Sequence, residues 1–116
     1  MNFDAAIQSH IAWKRTLADY LIQPNGSLRP AEVGADNRCE LGKWIHGNSA
    51  ALGTQTEYQE LKSKHAEFHR CASDVVRMAD SGQSISEEIA LGSNSGYSQA
   101  SIAVVRALMK MKSVSH

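Results

Sequence analysis

The sequence predicts an all-α fold, and three observations carry that prediction. Apolar residues recur at three- and four-residue steps along most of the 116 residues, no stretch alternates apolar with polar in the manner of a half-buried strand, and helix-stopping residues separate the periodic segments. A chain of this length fits one domain, with an ordered core over about residues 4–112. The composition is that of an ordinary soluble globule, with 42% hydrophobic residues and Lys+Arg 12 balanced by Asp+Glu 12. That balance excludes nucleic acid and acidic membrane as partners, since the only basic stretch is the short Lys110-Met111-Lys112 tail. The longest apolar runs are only a few residues, and Met1-Asn2-Phe3-Asp4 has no basic segment leading into an apolar one. A cytoplasmic location follows. Reduced thiols there make metal binding or redox sensing the better reading of Cys39 and Cys71 than a structural disulfide.

The elements follow in order. Ile7, His10, Ile11, Leu17, Ala18 and Leu21 form one helical stripe, so a first helix runs from about residue 4 until Pro24-Asn25-Gly26 stops it. The stretch from there to Ala35 reads as a loop. Asn37 followed by Glu40 reads as a capping box opening a short helix that carries Cys39 and Trp44 and ends near Gly47. Thr54 and Glu57 repeat the device for a long helix. Its stripe is Tyr58, Leu61, His65, Phe68, His69, Ala72, Val75, Val76 and Ala79, and Gly82 closes it. Ser84 and Glu87 open a last helix. Gly92-Ser93-Asn94-Ser95-Gly96 has the composition of a linker, yet Tyr97, Ala100, Val104, Leu108 and Met111 resume a stripe that extends backward through Ser93 and Ala90, so one continuous helix with a small-residue face is predicted. A break would leave two short helices with little to bury. No internal repeat is present.

The chemistry begins with His65 and His69. Residues four apart on a helix are neighbours at ~5–6 Å between Cβ atoms, so both imidazoles can turn a ring nitrogen toward one ion. Two histidines at the edge of a bundle are the commoner meaning of this spacing. Here both lie on the apolar stripe, where unsatisfied imidazoles are costly unless something consumes their lone pairs. His10 shares the inward phase of Ile7 and Leu17 on the first helix, with Trp13 a turn later to close the site against water or to pack behind the ring. A lone inward histidine is usually a satisfied core residue, and His10 gains weight from its companions. Cys39 completes the set. A buried free cysteine usually acts as a small hydrophobe, but in the first turn of a short helix the dipole favours thiolate, the form that binds zinc. Three imidazoles and one thiolate are the ligand set of a closed tetrahedral zinc site.

The order His10-x-x-Trp13, Cys39-x-Leu41-Gly42-x-Trp44 and His65-x-x-x-His69 resembles the bacterial chemoreceptor zinc-binding domain, a regulatory module attached to soluble chemoreceptors and to diguanylate cyclases. The resemblance runs over nearly the whole chain, including Ser101-x-x-Val104-Val105. It implies a four-helix-bundle-like domain with one additional short helix carrying the cysteine, zinc held by His10, Cys39, His65 and His69, and a homodimer that signals in chemotaxis or cyclase control and is not an enzyme. It also implies that Cys39 is the responsive ligand, linking zinc and oxidants such as hypochlorite to an output domain or partner. No signalling helix or cyclase domain follows in this sequence, which fits an excised module or a stand-alone member.

The remaining candidates take plainer readings. Trp13 and Trp44, with Gly42, support the site by packing. His46 is a solvated residue at a helix end and the first substitute should one of the four ligands fail. Cys71 follows His69 by two and points to another face, as filler of a core or interface, and His116 is tail. A hemerythrin-like di-iron protein also uses H-x-x-x-H on a bundle but needs bridging carboxylates, and Lys14 stands four residues past His10. A zinc hydrolase needs an open fourth position and a general base, which four protein ligands do not leave. A purely structural zinc clip uses the same four ligands. Response of the site to zinc or oxidant separates clip from sensor.

Overall fold

In the computed structural model, which describes residues 1–82 and 86–114, the first helix opens where Asn2 accepts the Ala5 amide through its side-chain oxygen at 2.9 Å. Helix α1 (Phe3–Ile22) buries Phe3, Ala6, Ile7, His10, Leu17 and Tyr20. Of the stripe read from the sequence Ile7, His10 and Leu17 are buried, Ala18 and Leu21 are partly buried and Ile11 faces outward, because the buried face is rotated toward Phe3, Ala6 and Tyr20. Past its end Gly26 takes a positive φ of 78°, a conformation open to glycine at little cost. The Tyr20 hydroxyl donates to Asp80 at 2.7 Å and accepts the Gly26 amide at 3.1 Å, tying this turn to the far end of the long helix.

The stretch read as a loop contains a helical turn, α2 (Pro30–Val33). Proline at the first position is pre-set for helix entry, and that signal stands in the sequence. Helix α3 (Glu40–Gly47) is capped by Cys39 and not by Asn37: the sulfur accepts the Gly42 amide at 3.3 Å, in the role a capping oxygen would fill. A further turn, α4 (Ser49–Leu52), precedes the long helix α5 (Thr56–Asp80). Gln55 is the cap of α5 and makes no side-chain bond, so the Thr54/Glu57 box does not form. The Gln55 amide is taken by the Leu52 carbonyl at 2.9 Å, which makes Thr54 part of the turn that leaves α4.

The predicted single last helix is two. Helix α6 (Glu87–Leu91) is capped by Ser86, which accepts the Ile89 amide at 3.2 Å, and the predicted Ser84 cap lies outside the described residues. The backbone turns extended at Gly92 (ψ 170°), and α7 (Gly96–Val114) starts anew. The linker composition prevailed because its serines offer the backbone other partners: Ser95 Oγ accepts the Ser98 amide at 3.1 Å, and Ser98 Oγ donates to the Leu91 carbonyl at 2.7 Å, satisfying both sides of the break.

Among the described residues there are seven helices and no strand, an all-α fold. Helix α5 packs most extensively on α7, α1 lies against both, and the short α6 touches all three, completing a bundle of four. The predicted stripes of α5 and α7 are buried in the core, and that of α1 is so in part. Leu17, Leu61, Phe68, Val76, Val104 and Leu108 have no exposed surface, and each such side chain contributes about 1.5–3 kcal/mol by its burial. No described helix is long and apolar enough to cross a membrane.

Candidate metal centre

Side chains from the middle of α1, the middle of α5 and the start of α3 come together. Helix α5 carries His65 and His69 one turn apart on the face turned to α1, and α1 brings His10 with its ring centroid 5.2 Å from that of His65. The three imidazoles are 3%, 1% and 5% exposed for His10, His65 and His69. Cys39 reaches them as the cap of α3. Its Sγ lies 3.2 Å from His65 Nε2 and 3.7 Å from His69 Nε2, and the two Nε2 atoms are 3.0 Å apart. One donor atom from each of His10, Cys39, His65 and His69 falls within 4.8 Å of all the others.

The rings are held from behind. His10 Nδ1 lies 2.7 Å from the Ala6 carbonyl and His69 Nδ1 lies 2.8 Å from the Val33 carbonyl. A carbonyl only accepts, so each Nδ1 carries the proton and each Nε2 presents a lone pair to the cluster. His10 Nε2 finds no hydrogen-bond partner among the described residues although it is buried. An orphaned acceptor at this depth costs about 1–3 kcal/mol, which a cation removes. A tetrahedral ion with bonds of about 2.0–2.3 Å sets its ligands about 3.3–3.6 Å apart, and the observed separations of 3.0, 3.2 and 3.7 Å lie around that range. The donor set is three neutral imidazoles and one sulfur, with no carboxylate, a combination that fits zinc and lacks the bridging acids a di-iron centre needs.

The electrostatics point the same way for nitrogen and opposite for sulfur. Burial lowers the pKa of all three histidines, that of His65 to about 3 with the charges of His69 and His10 adding to the burial. Burial thus favours the neutral imidazole, the form that can offer a lone pair to a metal. The Cys39 thiol is pushed above its usual value by burial, which outweighs the Gly42 amide that favours the thiolate. The helix terminus favours the thiolate as expected, but desolvation opposes it and prevails at this position.

Cys39 is the half-buried member of the set and borders two cavities. One, of about 350 Å³, lies between α1 and α3 against His10 and Glu40. The other, of about 290 Å³, lies against His69, Trp13 and the segment around α2. Trp13 is thus beside the cluster, as its spacing from His10 predicts. Trp44 is farther out, edge-on to Phe3 at 5.5 Å and to Tyr58 at 6.3 Å, where it fastens α3 to α1 and α5. At Gly42 a Cβ would stand 1.9 Å from the Asp36 carbonyl oxygen, so only glycine allows the chain before Cys39 to lie this close to α3. His46 is outside the cluster, with Nε2 3.2 Å from Asp36 Oδ1 on the surface. Cys71 is buried, unpaired and near Glu67 on another face of α5. His116 lies outside the described residues.

The carbonyls of Ala6 and Val33 are the part of this centre that sequence reasoning misses. Ala6 is implicit in the helical register, four residues before His10. Val33 is brought to His69 by α2, whose only sequence signal is Pro30. Ser73 of α5 donates to the Pro30 carbonyl at 3.0 Å, and Gly34 lets the two segments meet, since its Cβ would be 3.1 Å from the Pro30 carbonyl oxygen and 3.2 Å from Ser73 Cβ.

A family model described as the chemoreceptor zinc-binding domain matches residues 10–76, a span that begins at His10 and takes in Cys39, His65 and His69. No curated protein and no solved structure matches the chain.

Proposed function

The chain belongs to the chemoreceptor zinc-binding domain family, and from that premise we propose that it is a non-catalytic regulatory module in which His10, Cys39, His65 and His69 hold one zinc ion and Cys39 is the responsive ligand. The observation that carries this reading is the asymmetry of the set: the three imidazoles are buried, with His10 and His69 each bordering one cavity and His65 neither, while the Cys39 sulfur is half-buried and borders both. Zinc, when bound, keeps the Cys39 sulfur as thiolate at neutral pH against the burial that opposes it. The four protein donors supply a full tetrahedral set, which is a reason to assign no catalysis.

The residues divide into a fixed part and a movable part. His65 and His69 belong to the most deeply packed helix, and the Val33 carbonyl fixes the His69 ring. Cys39 caps a helix of eight residues whose Leu41 and Ile45 are buried, and it follows the surface turn at 36–38, so the movable part is that turn with the Cys39 end of the helix. Hypochlorous acid oxidises such a sulfur by two electrons to sulfenic acid with release of chloride, which turns a strong donor into a weak one. Freed of the cluster, α3 and the adjoining start of α1 shift, and an attached or separate output partner, a chemoreceptor or a diguanylate cyclase, reads the change. A thiolate ligand also requires a reducing compartment, which favours the cytoplasm.

The test is to add one equivalent of hypochlorite to zinc-loaded protein and to follow zinc release together with the mass of the Cys39 peptide. The sensor reading expects release in step with Cys39 oxidation. Zinc that stays bound, or leaves protein whose Cys39 is unmodified, identifies a structural clip instead.

A further inference from the structure

The two cavities that meet at Cys39 differ in charge. Glu40 is the only charged side chain of the cavity on the His10 side. The cavity on the His69 side is lined by Arg29 and Arg38 against the single carboxylate of Glu32. Neither guanidinium has an ion-pair partner among the described residues, in contrast to Arg15, Arg70 and Arg77, which pair with acidic neighbours. Trp13, Leu28 and Val33 supply its apolar wall, and Cys39 and His69 border it. Unpaired guanidinium groups at a partly apolar cavity of about 290 Å³ are a means of recognising a small organic anion.

We infer that this cavity admits small anionic electrophiles selectively to the Cys39 sulfur, with Arg29 and Arg38 as the residues that set the charge preference. The inference rests on the reading above that Cys39 is the responsive ligand. The class of reagent is a compact anion bearing a thiol-reactive atom, such as the N-chloro derivative of an amino acid. Its acid group is held by the arginines while the thiolate takes Cl⁺ from nitrogen, breaking N–Cl and forming S–Cl. The amine leaves protonated by water. Hydrolysis of S–Cl then gives sulfenic acid, chloride and a proton, so that sulfur is oxidised by two electrons and the N-chloro group reduced by two. Cys71 takes no part, because it lies on another face of α5.

Two alkylating reagents of the same shape and different charge isolate the effect. Iodoacetate and iodoacetamide each form an S–C bond with loss of iodide, and their rates at the Cys39 peptide are read by mass for zinc-loaded wild type and for Arg29→Gln/Arg38→Gln. The ratio of anionic to neutral rate falls about tenfold in the double variant at low ionic strength, the low end of what charged clefts achieve, while the iodoacetamide rate holds. Glu32→Gln raises the ratio. In wild type the ratio declines as salt is added, which tests the proposal without any substitution. A ratio that neither the arginine variants nor salt alters overturns it. Zinc content is measured on the same samples, so failure of the zinc assignment in wild type registers separately from failure of the charge preference.

Discussion

Cys39 serves both the helix and the cluster: its sulfur caps α3 by accepting the Gly42 amide and also faces the Nε2 atoms of His65 and His69. Serine preserves the cap and lacks the sulfur, so Cys39→Ser leaves α3 folded while zinc content drops well below one per chain. His65→Ala has the same effect on zinc, and Cys71→Ser retains full occupancy. Metal analysis of the three purified variants checks this, and equal loss from all three counts against the assignment. The buried histidines also set the acid stability of the metal-free protein. Their folded pKa values lie below the ordinary ~6.5, that of His65 at about 3. Between those values the unfolded chain binds protons that the folded one refuses. Stability is therefore complete above pH ~6.5 and is lost as pH falls toward 3, by on the order of a few kcal/mol at pH 5. Urea unfolding of chelator-treated protein at pH 7 and pH 5 measures it, and equal midpoints contradict it. That His10, Cys39, His65 and His69 come together was legible because the histidines sit on apolar stripes and zinc chemistry is demanding. Their orientation was not, because the carbonyls of Ala6 and Val33 that fix the ring tautomers have no side-chain signature.

Among the elements, those with long apolar stripes were legible and those held by individual polar bonds were not. The stripes of α5 and α7 predicted their buried faces, since periodicity over many residues is a redundant signal, whereas that of α1 caught Ile7, His10 and Leu17 but misplaced Ile11. The turn α2 depends on the Ser73 bond and the close approach at Gly34, and the division of α6 from α7 on Ser95 and Ser98. Each of these bonds bridges partners that only the folded chain brings together. Ser98→Ala leaves the Leu91 carbonyl unsatisfied in a buried setting and lowers unfolding stability by about 1–3 kcal/mol without changing zinc content. Gly42→Ala acts on both. Its new methyl meets the Asp36 carbonyl oxygen at 1.9 Å, so the turn leading to Cys39 must shift, at a cost of about 1–3 kcal/mol and with weaker zinc retention against a chelator. Retention equal to wild type refutes the claim that this turn positions the sulfur.

Among the described residues, α7 leaves an apolar stripe uncovered. Ile102 and Met109 on α7 are 50% and 54% exposed with Val105 between them on the same face, and Ile11 on the neighbouring α1 is 49% exposed. A twofold partner covers such a surface most simply, and sedimentation of the zinc-loaded protein at micromolar concentration is expected to give a dimer that Ile102→Glu/Met109→Glu converts to monomer. A wild-type monomer contradicts it. The proposed function turns on whether the four side chains that join α1, α3 and α5 hold zinc, and X-ray absorption at the zinc edge examines that directly. The account predicts one sulfur at about 2.3 Å and three nitrogens at about 2.0–2.1 Å in wild type, with the sulfur shell absent from Cys39→Ser. A zinc without sulfur in wild type, or a sulfur shell that survives in Cys39→Ser, would contradict it.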